Sequence, residues 1–199
     1  MTGAEVSAAL AAAVAHPGAP SSDYDLSPDA VLPKGRRLRP AAVLVCVVVG
    51  DGAPRVVLTK RSSRLKHHPG QVALPGGKID DADADAASAA LREAKEEIAL
   101  DPTSVTVIGA MPPHETVTAF SVTPILATAP PFTPVPEAGE VAEVFEVPLS
   151  HLADPENFSI ERRRWRGRWR SYYTVPFGPY YVWGATARIM RALADRMTA

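Results

Sequence analysis

The sequence has one cysteine, almost no net charge and no long apolar run, and each shortage excludes something. Cys46 is the single cysteine in 199 residues, so no internal disulfide can form. It lies in an apolar stretch, which makes it a core residue and fits a reducing, cytoplasmic setting. The formal net charge is −1, so bulk electrostatics favour neither nucleic acid nor a membrane surface as partner. No apolar run is long enough to span a bilayer. No basic residue precedes Lys34, and Glu5 adds an acid, so the charged start of a secretory signal is not expected. No internal repeat is visible. What remains is a chain with 46% hydrophobic residues, enough for a real core in a single domain.

Residues 4–15 are alanine-rich and helix-prone. Pro17, Pro20 and Pro28 then break the chain as far as Pro33. Residues 1–33 are therefore expected to be a helix and linker, with the main domain at 34–199. Ala41 to Val49 is a continuous apolar run and predicts a buried strand. Gly50-Asp51-Gly52 marks a turn, and Arg55 to Thr59 a second strand. Residues 160–175 alternate about Gly167 and predict a β-hairpin, with Trp165 and Trp169 on its packed face and the arginines outside. That reading is preferred to nucleic-acid stacking because the rest of the chain is not basic. Ala185 to Met197 predicts a closing helix.

The stretch from Leu74 to Leu100 organises the rest. It opens with the turn Pro75-Gly76-Gly77 and continues into acids and alanines. Ala86, Ala90, Leu91, Ala94 and Ile98 then recur near helical spacing. Asp83 or Asp85 suits the N-cap. On this helix Glu93, Glu96 and Glu97 stand at i, i+3 and i+4 and share one face. Carboxylates gathered so closely repel each other, and a divalent cation relieves the repulsion. Oxygen-only ligands select a hard ion such as Mg²⁺ or Mn²⁺. Arg92 can bridge back to a neighbouring acid. The bland alternative is a solvated acidic face, which exposed ion pairs stabilise very little.

The stretch resembles the Nudix box, G-x5-E-x7-R-E-U-x-E-E-x-G-U, where U is aliphatic. Gly77, Arg92-Glu93, Ala94, Glu96-Glu97 and Leu100 match. Asp83 stands in place of the first Glu, the spacer to Arg92 is one residue too long, and Ala99 replaces the last Gly. Upstream, L-T-K-R-S-S-R-L-K-H-H-P-G-Q-V-A-L-P-G-G is similar to the signature that precedes the box in coenzyme A pyrophosphatases. Leu58, Thr59, Arg61, Ser62, Arg64, Gly70 and Pro75-Gly76-Gly77 match, and Leu74 stands where Phe is usual.

The resemblance covers residues 39–194 and implies a Nudix fold, an α/β/α sandwich around a mixed β-sheet, in which the stretch from Tyr180 to Thr186 is similar to the family's closing strand leading into the last helix. It implies metal-dependent hydrolysis of the pyrophosphate of coenzyme A or acyl-coenzyme A. Glu93, Glu96 and Glu97 would hold the metal, with the Gly76 carbonyl. A carboxylate of that cluster or Glu140 would take a proton from water, and Arg92 would support the cluster. Arg39, Arg61, Ser62, Arg64, Lys66 and Gly77 would meet the substrate. His114 and Glu115 are expected in a loop, and Glu143 and Glu146 in solvent. The expected partner is a small nucleotide, with a homodimer left open. Two alternatives stand: a Nudix hydrolase acting on NADH, ADP-ribose, or capped or triphosphorylated RNA, and a non-catalytic Nudix-like binding module.

Overall fold

The computed structural model describes residues 1–27, 29–30, 35–165 and 167–198. Pro28, Pro33 and the expected junction at 33/34 lie outside the described residues. The elements run α1 (Gly3–Ala15), β1 (Ser21–Ser22), β2 (Arg39–Val48), β3 (Arg55–Arg61), β4 (Val72–Ala73), β5 (Gly76–Lys78) and α2 (Ala86–Ile98). They continue with β6 (Thr106–Ala110), β7 (His114–Glu115), β8 (Phe120–Ala129), β9 (Val141–Pro148), α3 (Leu149–Leu152), β10 (Ser159–Trp165), β11 (Arg168–Thr174) and α4 (Gly184–Met197).

One mixed sheet holds β1 to β9. Its main path is β1-β7-β8-β2-β3-β4, with β5 added to β2, β6 to β8 and β9 to β3. The long central strands β2 and β8 are parallel, while β3 and β9 are antiparallel. Strand β2 shows why two layers of helix form. Side chains alternate across a strand, so an unbroken apolar run must be buried on both faces. Ala42, Leu44, Cys46 and Val48 pack with Ala90, Ala94 and Ile98 of α2. Ala41, Val45 and Val47 pack on the other face with Leu10 of α1 and Met190 and Leu193 of α4. The result is the expected α/β/α sandwich. Cys46 is fully buried, and burial, with a smaller push from Glu146, raises its thiol pKa to about 12, so it stays protonated. Among the described residues, no helix is long and apolar enough to cross a membrane.

Helix α1 starts with a capping box in which Thr2 and Glu5 satisfy each other's backbone N–H. Its Val6, Leu10 and Ala13 are fully buried in the core that α4 shares.

Four local expectations change. His114 is not in an exposed loop: it sits in β7, fully buried, between Ser21 (Oγ to Nδ1, 2.9 Å) and Asp23 (Oδ1 to Nε2, 3.1 Å). The cause is β1, which pairs parallel with β7 and covers it. Glu115, also in β7, pairs with Arg36. Tyr180 to Trp183 form no strand, only isolated bridges to Phe177 and Thr174 before α4. Trp169 does not pack but is 63% exposed.

The hairpin β10–β11 forms its own two-stranded sheet, covered on one face. Arg163 and Arg170 are cross-strand partners, and they turn inward over the Trp183 and Tyr24 rings. Trp169 pairs with Arg164 one register step away, on the opposite, outer face. The Trp165 side chain lies outside the description.

Candidate active site

The site is built where the glycine turn, α2 and the loop before β9 meet. Asp85, not Asp83, caps α2, accepting the Ser88 N–H at 2.7 Å. That frees Asp83 for Arg92. Arg92 donates to both Asp83 oxygens at 3.0 Å, to Glu93 at 2.9 Å, to Glu96 at 3.3 Å and to the Lys78 carbonyl at 3.1 Å. One guanidinium thus ties the turn, the residues before the helix and two acids together, using the planar fork that suits it to carboxylates.

The three acids of the shared helix face form a gradient of burial. Glu97 is 5% exposed, whereas the Glu93 and Glu96 side chains are 17% and 59% exposed. Burial is the main cause that raises Glu97 to about 7, with Glu93 and Glu140 adding repulsion. The Gly76 N–H (3.1 Å to Oε2) and the Arg61 charge work the other way. Glu93 is also raised, first by burial, against Arg92.

Both turn glycines are required by close approach. A Cβ on Gly76, whose φ is 151°, would lie 2.3 Å from the Ala42 carbonyl oxygen. A Cβ on Gly77 would lie 2.5 Å from the Glu93 carboxylate. The turn is therefore a cradle for an acid, which no larger residue allows.

Glu140 comes from the proline-rich loop. That loop is pinned to the end of α2 by Glu137 N–H to the Glu97 carbonyl (2.9 Å) and Val135 N–H to the Ile98 carbonyl (3.1 Å). The Glu137 carboxylate then accepts the Gly139 and Glu140 N–H groups at 2.8 Å. Glu140 stays exposed, yet its charge reaches both Glu93 and Glu97. Its carboxylate makes no hydrogen bond among the described residues.

The basic loop abuts this acidic face. Arg61 acts on Glu97, and the Ser62 N–H donates to the Glu140 carbonyl at 2.7 Å. Ser62 is buried, and its Oγ accepts the Arg64 N–H at 3.3 Å, so it shapes the loop. Arg64 and Lys66 are exposed. Arg39 stands further along β2, its guanidinium 3.9 Å from the Phe120 ring centre and bonded to the Thr118 carbonyl. Glu146 is part-exposed and pairs with Arg55, while Glu143 accepts the Tyr180 hydroxyl.

The family model for the NUDIX domain matches residues 38–168. The chain belongs to the Nudix family. The uncharacterized Nudix hydrolase NudL of Escherichia coli K12 is 47% identical over 161 residues, covering 78% of this chain and 81% of that protein. NudL of Cronobacter sakazakii is 48% identical over the same length and coverage. Among solved structures, a MutT/nudix family protein from Enterococcus faecalis aligns with a TM-score of 0.51 at 14% identity, covering 85% of this chain and 66% of that one, which shows the fold.

Nudix enzymes generally use divalent ions such as Mg²⁺ or Mn²⁺, so fit to such an ion can be judged on this chain. With Arg92 holding Glu93 and Glu96, and the turn holding Glu97, no three acidic, His or Cys side chains converge as a cage among the described residues. The donor chemistry nonetheless fits a hard cation. All the groups are carboxylates on one face, and the most buried one is destabilised as an anion. The Gly77 cradle admits Glu93 at a distance no other residue would. The sequence missed Glu137, which shapes the loop, although the turn-forming Glu137-Ala138-Gly139 is its local trace. Gly77, expected at the substrate, lies against the Glu93 carboxylate.

Proposed function

We propose that this Nudix hydrolase cleaves the pyrophosphate of coenzyme A or an acyl derivative, giving 3′,5′-ADP and (acyl-)4′-phosphopantetheine. The observation that carries the reading is the meeting of a cationic loop with the buried acids, through Arg61 on Glu97 and Ser62 on the Glu140 backbone. The loop is also the stretch similar to the coenzyme A pyrophosphatase signature.

In this reading Glu93, Glu96 and Glu97 hold the divalent ion, with the Gly76 carbonyl beside them. The ion, when bound, neutralises phosphate charge and lowers the pKa of a bound water. Arg92 keeps Glu93 and Glu96 on the correct side of the helix. Glu140, whose charge reaches Glu93 and Glu97 and whose carboxylate makes no hydrogen bond among the described residues, accepts the water proton. Arg61, Arg64 and Lys66 draw in a substrate with several phosphates. Two residues bear on the phosphates less directly: Ser62 sets the loop's shape, and Arg39 flanks the turn. The single buried cysteine suits the cytoplasm, where we place the enzyme.

The test is incubation with Mg²⁺ or Mn²⁺ and, separately, coenzyme A, NADH, ADP-ribose and capped RNA, with products identified by mass. Release of 3′,5′-ADP from coenzyme A at the highest kcat/KM supports the reading, and preference for another substrate overturns it. A second reading, capped or triphosphorylated RNA, draws on the exposed Trp169 with the Arg162 guanidinium 5.9 Å from its ring centre. A base can stack on such a ring.

A further inference from the structure

An open cleft of about 320 Å³ lies at the β4 edge of the sheet, lined by Lys60, Gly70, Val72, Tyr180, Tyr181 and Trp183 among others. It is separate from the carboxylate cluster: Lys60 and Val72 lie on the sheet face of Leu58, which packs with α4, whereas α2 packs on the other face. Lys60 lines the cleft, and the next residue, Arg61, acts on Glu97. The two are backed by one strip of chain, since Arg61 exchanges backbone hydrogen bonds with Gln71 (2.9 Å) and Gly70 (3.1 Å). Val72 in the cleft wall is four residues from Gly76 at the cluster, at most roughly 14 Å of extended chain.

The cleft wall is aromatic and braced from behind. The Tyr180 ring stacks on Phe145, with centroids 3.5 Å apart and planes within 5°, and its hydroxyl is donated to Glu143. Glu143 is the cross-strand partner of Lys60. Yet Glu143 is engaged by the tyrosine, and Lys60 has no ion pair among the described residues. The hairpin holds the rest of the wall. The Tyr172 hydroxyl meets that of Tyr181 at 3.2 Å, and the Tyr172 ring meets the Trp183 ring edge-on at 5.2 Å. Arg163 stands 4.9 Å from the Trp183 ring centre. Tyr181 remains 45% exposed. Nothing in the catalytic reading uses these rings.

We propose that this cleft is the subsite for the nucleoside end of the substrate, with the base on the Tyr181–Trp183 wall and Lys60 at the phosphate that joins it to the cluster. A base offers a flat π-face to aromatic side chains, and a lysine is a compact point charge for phosphate. The cleft provides both, and the residue after Lys60, Arg61, carries its charge to Glu97. This deepens the pyrophosphatase reading and rests on it.

The test is calorimetric titration of adenosine 5′-monophosphate into the full-length protein without metal. This probe carries the base and one phosphate but no pyrophosphate, so binding is read without turnover. Tyr181→Ala is expected to weaken it about tenfold, as loss of one stacking ring does, and Tyr181→Phe to retain it. Lys60→Ala is expected to weaken it about tenfold as well. Lys60 and Tyr181 are exposed side chains, and an unchanged Tm confirms that the variants fold. Unchanged affinity in both alanine variants overturns the proposal. So does a larger loss for 4′-phosphopantetheine than for the nucleotide, which would give the cleft to the other half of the substrate. Failure of the coenzyme A reading shows up elsewhere, as absence of 3′,5′-ADP among the products. The monophosphate is common to coenzyme A, NADH and ADP-ribose, so the cleft is tested independently of that choice.

Discussion

Asp83 and Arg92 grip each other through two parallel hydrogen bonds, Nε to Oδ1 and Nη2 to Oδ2, both 3.0 Å. Nine positions separate them, across the start of α2. The shorter acid and the longer spacer thus accompany an intact fork, and Arg92 still reaches Glu93 and Glu96. Asp83→Ala is expected to loosen both glutamates without touching substrate. Apparent Mg²⁺ affinity should fall roughly 10–100-fold, the usual cost of losing a group that orients metal ligands. The substrate KM at saturating metal should hold. A metal titration of activity reads this directly, and an unchanged Mg²⁺ half-saturation would remove the role.

Glu97→Gln keeps the shape of the side chain and removes the most buried charge. Turnover should fall about a hundredfold or more, as for other lost electrostatic contacts to reacting groups. The same residue sets a pH dependence of stability in metal-free protein. Its folded pKa, about 7, lies above the ordinary carboxyl value of 4.5. The folded state therefore keeps a proton that the unfolded chain releases. This contribution is full below about pH 4.5 and is lost as pH rises through about 7. Tm without metal should decline across that window. Mg²⁺ should offset the decline, and Glu97→Gln should flatten it. A metal-free Tm profile of the wild type identical to that of Glu97→Gln would contradict the burial argument.

Local signals in the sequence were enough for the acidic helix and the central strand. The 3.6-residue spacing fixed the shared face of Glu93, Glu96 and Glu97, and the unbroken apolar run of β2 required cover on both sides. Long-range pairing was not legible. Nothing near His114 says that Ser21 and Ser22 will lie over it. Nothing near Trp169 says which hairpin face meets Trp183 and Tyr24. The aromatic cleft was hidden for the same reason, since Lys60 and Tyr181 come together only through β3, β9 and the turn before α4.

Ala99 ends α2 in a left-handed conformation, φ 56° and ψ 30°, where glycine is the common choice. Its N–H still closes the helix onto the Ala94 and Lys95 carbonyls. An L-residue there carries a strain of about 1–2 kcal/mol. Ala99 is exposed, so losing its methyl leaves no cavity. Ala99→Gly should therefore stabilise the protein by about 1 kcal/mol after the extra chain entropy of glycine is subtracted. Chemical denaturation with an unchanged m-value checks this, and a lower midpoint would contradict it.

Trp169→Ala should shift stability by no more than about 0.5 kcal/mol, the usual range for exposed positions. A buried indole would have cost about 3–5 kcal/mol. The same variant separates substrates: turnover of coenzyme A should be unchanged, while a capped RNA substrate that stacks on the ring would lose affinity.

The last prediction distinguishes two arginines of the basic loop. Coenzyme A differs from dephospho-coenzyme A by one ribose 3′-phosphate. A site selective for the former needs a cation at that phosphate. Arg61 is committed to the cluster, since its charge favours ionised Glu97. Arg64 is exposed, and its backbone N–H alone is fixed, by Ser62. Arg61→Ala should therefore lower kcat/KM for both substrates alike. Arg64→Ala should lower it for coenzyme A by roughly ten- to a hundredfold, because a hydrogen bond to a charged group is worth about 1.5–3 kcal/mol and about 1.4 kcal/mol is tenfold. Dephospho-coenzyme A never uses that contact and should lose little. Lys66→Ala serves as the neighbouring control, since a point charge on a flexible stem grips phosphate less specifically than a planar fork. Equal losses for the two substrates in Arg64→Ala and Lys66→Ala would take the exposed part of the loop out of phosphate recognition. The coenzyme A reading would then rest on Arg61 and on sequence resemblance.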